Sequence, residues 1–235
     1  MTLPHQQPAA VHIPAGTMTL EADLGLPATA TPAGLIIFAH GSGSGRHSPR
    51  NQFVARALEA QGWATLLADL LTAKEETASS RLKFDIDLLG RRVVALVEWA
   101  RQQPSLRPLA IGLFGASTGA AAALAAAAAR PREIAAVVSR GGRPDLAEGS
   151  LPRVTAATLL IVGGADTQVI EHNRWARDRM RCPTSLEIVP GATHLFEEPG
   201  ALEHVAWRAA GWFARHVRTP EAPLPQSAVA GTTHR

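Results

Sequence analysis

The sequence predicts an α/β fold, a doubly wound, mainly parallel sheet with helices on both faces. Three observations predict it. Short apolar runs alternate with segments of helical spacing through most of the chain. One apolar run, 108–114, turns directly into a helix through Gly115-Ala116-Ser117-Thr118-Gly119. The unusual loops, rich in glycine or holding a histidine or aspartate, all follow strands, on the side where open α/β sheets bind ligands.

The elements follow in order. Residues 11–15 and 18–26 read as two strands joined around Gly16. The second alternates polar and apolar residues, as an antiparallel strand near a sheet edge would. Residues 35–39 (LIIFA) are a continuous apolar run, hence a central strand, ending in His40-Gly41-Ser42-Gly43-Ser44-Gly45. Phe53, Val54, Ala57 and Leu58 give 51–61 helical spacing, and Gly62 stops it. Residues 63–71 form the next strand. Residues 72–80 are polar, include Glu75 and Glu76, and are expected to be a loop. Apolar positions from Ile86 to Trp99 make 84–103 a long amphipathic helix that ends near Pro104.

The alanine run from Ala120 to Ala129 is a helix by propensity. Residues 134–139 and 155–162 are strands, ending in Arg140-Gly141-Gly142-Arg143-Pro144-Asp145 and Gly163-Gly164-Ala165-Asp166. Residues 169–180 form a helix with an arginine-rich face. Residues 184–189 are the last strand, ending in Pro190-Gly191-Ala192-Thr193-His194, and 202–217 the closing helix. Connections are short, which leaves no space for a cap domain. A single domain over 1–217 is expected, with a loose tail over 218–235.

Composition narrows the function. The chain has 235 residues, 20 acidic and 23 basic, for a formal charge of +3. The pI near 9.9 arises because Lys74 and Lys83 are the only lysines and arginine keeps its charge at high pH. The arginines are scattered, with no basic cluster and no interleaved aromatics, so no nucleic-acid site is expected. Cys182 is the only cysteine, which excludes an intramolecular disulfide and fits a reducing compartment. The first sixteen residues lack a basic region and an apolar core, and no apolar run is long enough to span a bilayer. A cytoplasmic protein that binds no membrane is the expectation, as monomer or homodimer.

The chemistry centres on Ser117. A strand that turns into a helix through G-x-S-x-G is the nucleophile elbow of α/β-hydrolases. Glycine-rich chains produce the bare pattern by chance; the strand before and the helix after make it specific. A serine hydroxyl needs a base, and the base needs a carboxylate to fix its tautomer. Of nine histidines, only His194 lies in a loop directly after a strand and after the serine in chain order. His40 is expected to brace its own loop. For the acid, Asp166 and Asp145 both follow strands; Asp166 is preferred because two glycines let the chain present it, whereas Asp145 fits a helix N-cap. Asp69 precedes the serine and is expected to pair with an arginine. The oxyanion hole calls for the Thr118 amide and one from the loop after 35–39, with Ser42 first and Gly41 second. Gly41-x-Gly43-x-Gly45 has the wrong spacing for a dinucleotide fingerprint.

Together HGSGSGR, GASTG, SRGGRPDL, LLIVGGAD and PGATHLFEEPG resemble the dienelactone-hydrolase-like branch of the α/β-hydrolases from about His40 to Val217. The SRGGRPDL loop and the phrase around His194 are similar to a bacterial subgroup, some of whose members are fused to a phosphoribosyltransferase domain. No phosphoribosyl-binding motif is present here. The resemblance implies an α/β-hydrolase fold and a serine esterase with a Ser117–His194–Asp166 triad. Dienelactone hydrolases proper use cysteine at the elbow; Ser117 favours ordinary carboxylic esters. No organic cofactor is implied, and no Cys/His pair stands at zinc spacing.

Arg46, Arg50, Arg140 and Arg143 come from loops on the elbow's edge of the sheet. Either one or two of them bind a substrate carboxylate or line the pocket rim, Arg46 and Arg140 foremost, or all form ion pairs with Asp69, Asp145 or Glu197. Perhydrolysis, acyl transfer and thioester hydrolysis would use the same residues, and a non-catalytic ligand-binding protein of this fold is the rival from another class.

Overall fold

The computed structural model describes residues 7–29 and 31–218. The tail expected over 218–235 lies outside the described residues except for Arg218, as do residues 1–6. Eight strands form one sheet: β1 (Ala9–Ala15), β2 (Met18–Gly25), β3 (Leu35–Ala39), β4 (Ala64–Ala68), β5 (Ile111–Ala116), β6 (Ile134–Arg140), β7 (Ala157–Gly163) and β8 (Thr184–Val189). Their spatial order is β1-β2-β4-β3-β5-β6-β7-β8. β2 pairs antiparallel with β1 and β4, and every other pairing is parallel.

The helices are α1 (Pro49–Glu59), α2 (Ala73–Ala78), α3 (Ile86–Gln102), α4 (Thr118–Ala129), α5 (Thr167–Arg177) and α6 (Ala201–His216). On one face α1 and α6 cover Ile36, Phe38 and Phe114 with Val54, Leu58, Val205 and Phe213. On the other, α3 and α4 cover Ile37 and Leu113 with Leu89, Val93, Val97 and the alanines 121–123. Strands buried on both faces need continuous apolar runs, and LIIFA and ATLLIVG are such runs.

One expected loop is a helix. Over 72–80 the chain forms α2, followed by a 3-10 turn at Ser80–Phe84. Thr72 caps α2: its hydroxyl accepts from the Glu75 amide at 3.2 Å, and Glu75 Oε2 accepts from the Thr72 amide at 2.8 Å. Glu75 also pairs with the buried Arg92 of α3 at 2.7 Å. A segment with no buried residue of its own shows no apolar period, so its composition read as loop.

The strand order decides where a site can form. After β3 the chain moves to β4 on one side, and later to β5 on the other. The ends of β3 and β5 therefore flank the switch point of the sheet. Ala39 pairs with Gly115, which sets the His40–Ser42 loop beside Ser117.

Candidate active site

Ser117 sits at the end of β5 with φ 50° and ψ −121°, in left-handed space that a non-glycine residue rarely occupies. The neighbours hold it there. The Ser117 amide donates to the Arg140 carbonyl at 3.2 Å, and its own carbonyl accepts from the amides of Ala120 and Arg143, both at 3.1 Å. The flanking glycines are sterically required. A Cβ at Gly119 would fall inside the carbonyls of Ala39 and His40, and one at Gly115 would lie 2.8 Å from the Ala120 amide nitrogen.

The sheet brings three distant side chains together. His194 Nε2 is 3.3 Å from Ser117 Oγ, and His194 Nδ1 is 2.6 Å from Asp166 Oδ2. With Nδ1–H donating to the carboxylate, the Nε2 lone pair faces the serine hydroxyl. β7 and β8 are parallel neighbours, and the loops at their ends are stapled to each other. The Gly164 amide donates to the Val189 carbonyl at 2.8 Å, and that of Ala165 to Ala192 at 2.9 Å. Phe196, at φ 56° and 1% exposed, drives its ring into the core two residues after His194 and fixes that loop from beneath.

Asp145 lies elsewhere. It accepts a bidentate pair from Arg143, at 2.9 and 2.7 Å, and faces His172. Burial pushes its carboxyl up, but the bonds and charge of Arg143 outweigh this and hold it below the ordinary carboxylate value. It is not the N-cap of the 3-10 stretch Pro144–Arg153, in which it is the second residue; Arg143 occupies that place.

On the other flank of Ser117, Gly41 is so close that a Cβ there would stand 3.0 Å from the serine Cβ. The amides of Ser42 and Thr118 donate to no protein acceptor among the described residues. Thr118 opens α4, so the positive end of that helix adds to its amide. His40 braces the loop: its Nδ1–H donates to the Gly41 carbonyl and its Nε2 accepts from the Leu70 amide, each at 2.9 Å. Burial holds its pKa below the ordinary 6.5.

The cavity at Ser117, about 360 Å³, is lined by Gly41, Ser42, Arg50, Arg140, His194 and Leu195 among others. One expectation is corrected here. Arg46 does not reach this cavity. It is held by Asp69 through both its amide and its guanidinium, by Glu21 at 2.5 Å and by Asp23 at 3.6 Å. Three carboxylates on one side hold a guanidinium better than a cavity edge that is lined by two other arginines and no acid. Arg140 does line the cavity, 8% exposed and bonded to Asn51 Oδ1 at 3.3 Å. Asn51 and Leu195 were not legible beforehand: a polar residue in α1 reads as solvent-facing, and nothing in the chain order links it to Arg140.

Comparison with known proteins agrees with this architecture. Residues 34–160 match the model of the alpha/beta hydrolase fold family. Two Mycobacterium tuberculosis proteins, named provisionally as phosphoribosyl transferases, are 51% identical over 210 residues, or 89% of this chain. The chain spans about half, 47%, of the length of these curated relatives. The structure of a dienelactone hydrolase from Anabaena variabilis is 50% identical, with a TM-score of 0.86 over 91% of this chain and 100% of that one. Est1E from Butyrivibrio proteoclasticus, 18% identical with a TM-score of 0.75 over 88% of this chain and 98% of that one, shares the fold. The family match across 34–160 and the 50% identity to a full-length dienelactone hydrolase structure support a hydrolase, and the chain belongs to the α/β-hydrolase fold family, on its dienelactone-hydrolase-like branch.

Proposed function

We propose that the chain is a serine hydrolase that cleaves small carboxylic esters through an acyl-enzyme. The observation that supports it best is the hydrogen-bonded line Asp166–His194–Ser117, set on a strained elbow beside two amides with no protein acceptor.

In this reading Ser117 Oγ bonds to the ester carbonyl carbon as its proton passes to His194 Nε2. The carbonyl oxygen gains the negative charge and takes hydrogen bonds from the Ser42 and Thr118 amides, each worth about 3 kcal/mol at the transition state. The carbon–oxygen bond to the alcohol then breaks, and the alcohol leaves with the proton from Nε2. Water repeats the sequence on the acyl-enzyme: His194 takes its proton, hydroxide adds to the carbonyl, and Ser117 leaves with that proton. Asp166 keeps Nδ1 protonated and stabilises the imidazolium formed in each half. The short connections around a cavity of about 360 Å³ favour small acyl groups. We assign the transferase activity in the relatives' names to the half of those proteins that this chain does not span.

A fluorophosphonate probe and an ester panel test the proposal together. Wild type should be labelled and should cleave p-nitrophenyl acetate faster than the palmitate, and Ser117→Ala should do neither. Folded wild type that is neither labelled nor active would favour a ligand-binding protein instead; a Ser117→Ala variant that keeps its rate would overturn the nucleophile.

A further inference from the structure

Helix α5 buries one residue that its pattern does not call for. Its inner face is Val169, Ile170, Asn173 and Ala176, and Asn173 is fully enclosed where an apolar side chain would pack. The Asn173 amide group uses both its hydrogens. One goes to the Val169 carbonyl, a turn back in the same helix, at 2.8 Å. The other leaves the helix for the Gly142 carbonyl at 2.9 Å. Asn173 Oδ1 is sealed from solvent with no partner among the described residues. Turned over, the group would set Oδ1 against two carbonyl oxygens, so its orientation is fixed.

The loop that Asn173 grips touches two members of the triad. The Arg143 amide, next to Gly142, donates to the Ser117 carbonyl at 3.1 Å. Gly141 lies against the imidazole: a Cβ there would stand 3.6 Å from His194 Cε1. Gly141 and Gly142 have no side chains to hold this turn, so it depends on bonds from its neighbours. The third member, Asp166, is the N-cap of α5, and its carbonyl accepts from the Ile170 amide at 3.0 Å. One helix therefore presents Asp166 at its start and, about two turns on, clamps the loop behind Ser117 and His194. Ser117 needs such support, because its backbone conformation persists only where the surroundings impose it. Of the two amides on its carbonyl, Ala120 belongs to its own helix, and Arg143 comes from the clamped loop.

We propose that Asn173 is a positioning residue for the reaction: through Gly142 and the Arg143 amide it holds Ser117 in the conformation that meets His194. The proposal rests on the ester-hydrolase reading above. Asn173 does not line the cavity and touches no reacting atom.

Three variants test it. Asn173→Leu removes both bonds at nearly constant volume. In Asn173→Ser the hydroxyl still bonds the Val169 carbonyl one turn back but is too short to reach Gly142. Ala176→Gly, on the same buried face of α5, lowers stability without touching the clamp. All are assayed well below their melting temperatures. In both Asn173 variants, kcat for p-nitrophenyl acetate and the rate of fluorophosphonate labelling should fall together by about tenfold or more, with KM within about threefold. Ala176→Gly should melt lower and keep both rates. Wild-type rates in the Asn173 variants overturn the proposal, and so does an equal loss in Ala176→Gly, which would tie activity to the stability of α5 alone. A second arm needs no turnover. Amide hydrogen exchange at Arg143 should quicken about tenfold or more in Asn173→Leu while the Ile170 amide keeps its protection. Unchanged exchange at Arg143 also overturns the clamp. Wild type that is neither labelled nor active, with the exchange result as expected, overturns the hydrolase reading and leaves the hold on Ser117 standing.

Discussion

Nδ1 of His194 lies 2.6 Å from Oδ2 of Asp166, although one residue follows β8 and the other follows β7. The proximity belongs to the backbone. Gly163-Gly164-Ala165 wraps over the Val189–Ala192 turn, and a Cβ at Gly163 would collide with the carbonyls of Ala192 and Thr193. Asp166 is thus delivered to the imidazole by two loops that are hydrogen-bonded to each other.

Asp166→Asn is expected to lower kcat for p-nitrophenyl acetate by about 10⁴, because the amide no longer holds the imidazole in the tautomer that accepts the serine proton. Asp145→Asn should leave kcat within about threefold and lower the melting temperature instead, since Asp145 is occupied by Arg143. Steady-state kinetics on the two variants separates them. The reverse pattern would move the acid to the end of β6.

His40 predicts a pH dependence of stability. Its Nε2 can accept from the Leu70 amide only while the ring is neutral, and burial keeps the folded pKa below 6.5. The unfolded chain takes up a proton near 6.5 and the folded one only at lower pH. The contribution of His40 is therefore full above pH 6.5 and is lost as pH falls from there toward the folded pKa. His216, lowered by burial and then by Arg215 and Arg218, adds with the same sign. Calorimetry at about pH 7.5 and about pH 5.5 should show a lower melting temperature in the acid sample, and His40→Gln should shrink the difference. An unchanged melting temperature in wild type would count against this account.

Gly119→Ala is expected to cost more than about 4 kcal/mol or to prevent soluble expression, because its Cβ would meet the backbone carbonyls of Ala39, the last residue of β3, and of His40 just after it, which cannot turn aside. Gly211→Ala is the control. It lies in α6 with open space around it, and should be neutral or slightly stabilising. Chemical denaturation of both variants makes the comparison.

Glu75 has two tasks, capping α2 and pairing with Arg92, a residue 8% exposed at its side chain. Glu75→Ala should cost about 3 kcal/mol, since it leaves a buried guanidinium with only the Ala15 carbonyl. Thr72→Ala removes the cap alone and should cost about 1 kcal/mol. Equal losses in urea denaturation would show that the ion pair contributes nothing beyond the cap.

What the residues determined by themselves is local and periodic. Runs such as LIIFA and ATLLIVG, the glycines around Ser117 and the stop at Gly62 act over a few residues, and for that reason strand, turn and helix were legible with boundaries close to those observed. Helix α2 escaped because its support comes from Arg92, seventeen residues away from Glu75, and not from an apolar stripe. Which carboxylate reaches His194, that Arg46 turns toward Glu21 and Asp69, and that Arg140 has no counter-ion among the described residues were decided only by the order of strands in the sheet. Charged side chains choose partners by distance in space. Two loops many residues apart become neighbours only after parallel strands have packed side by side.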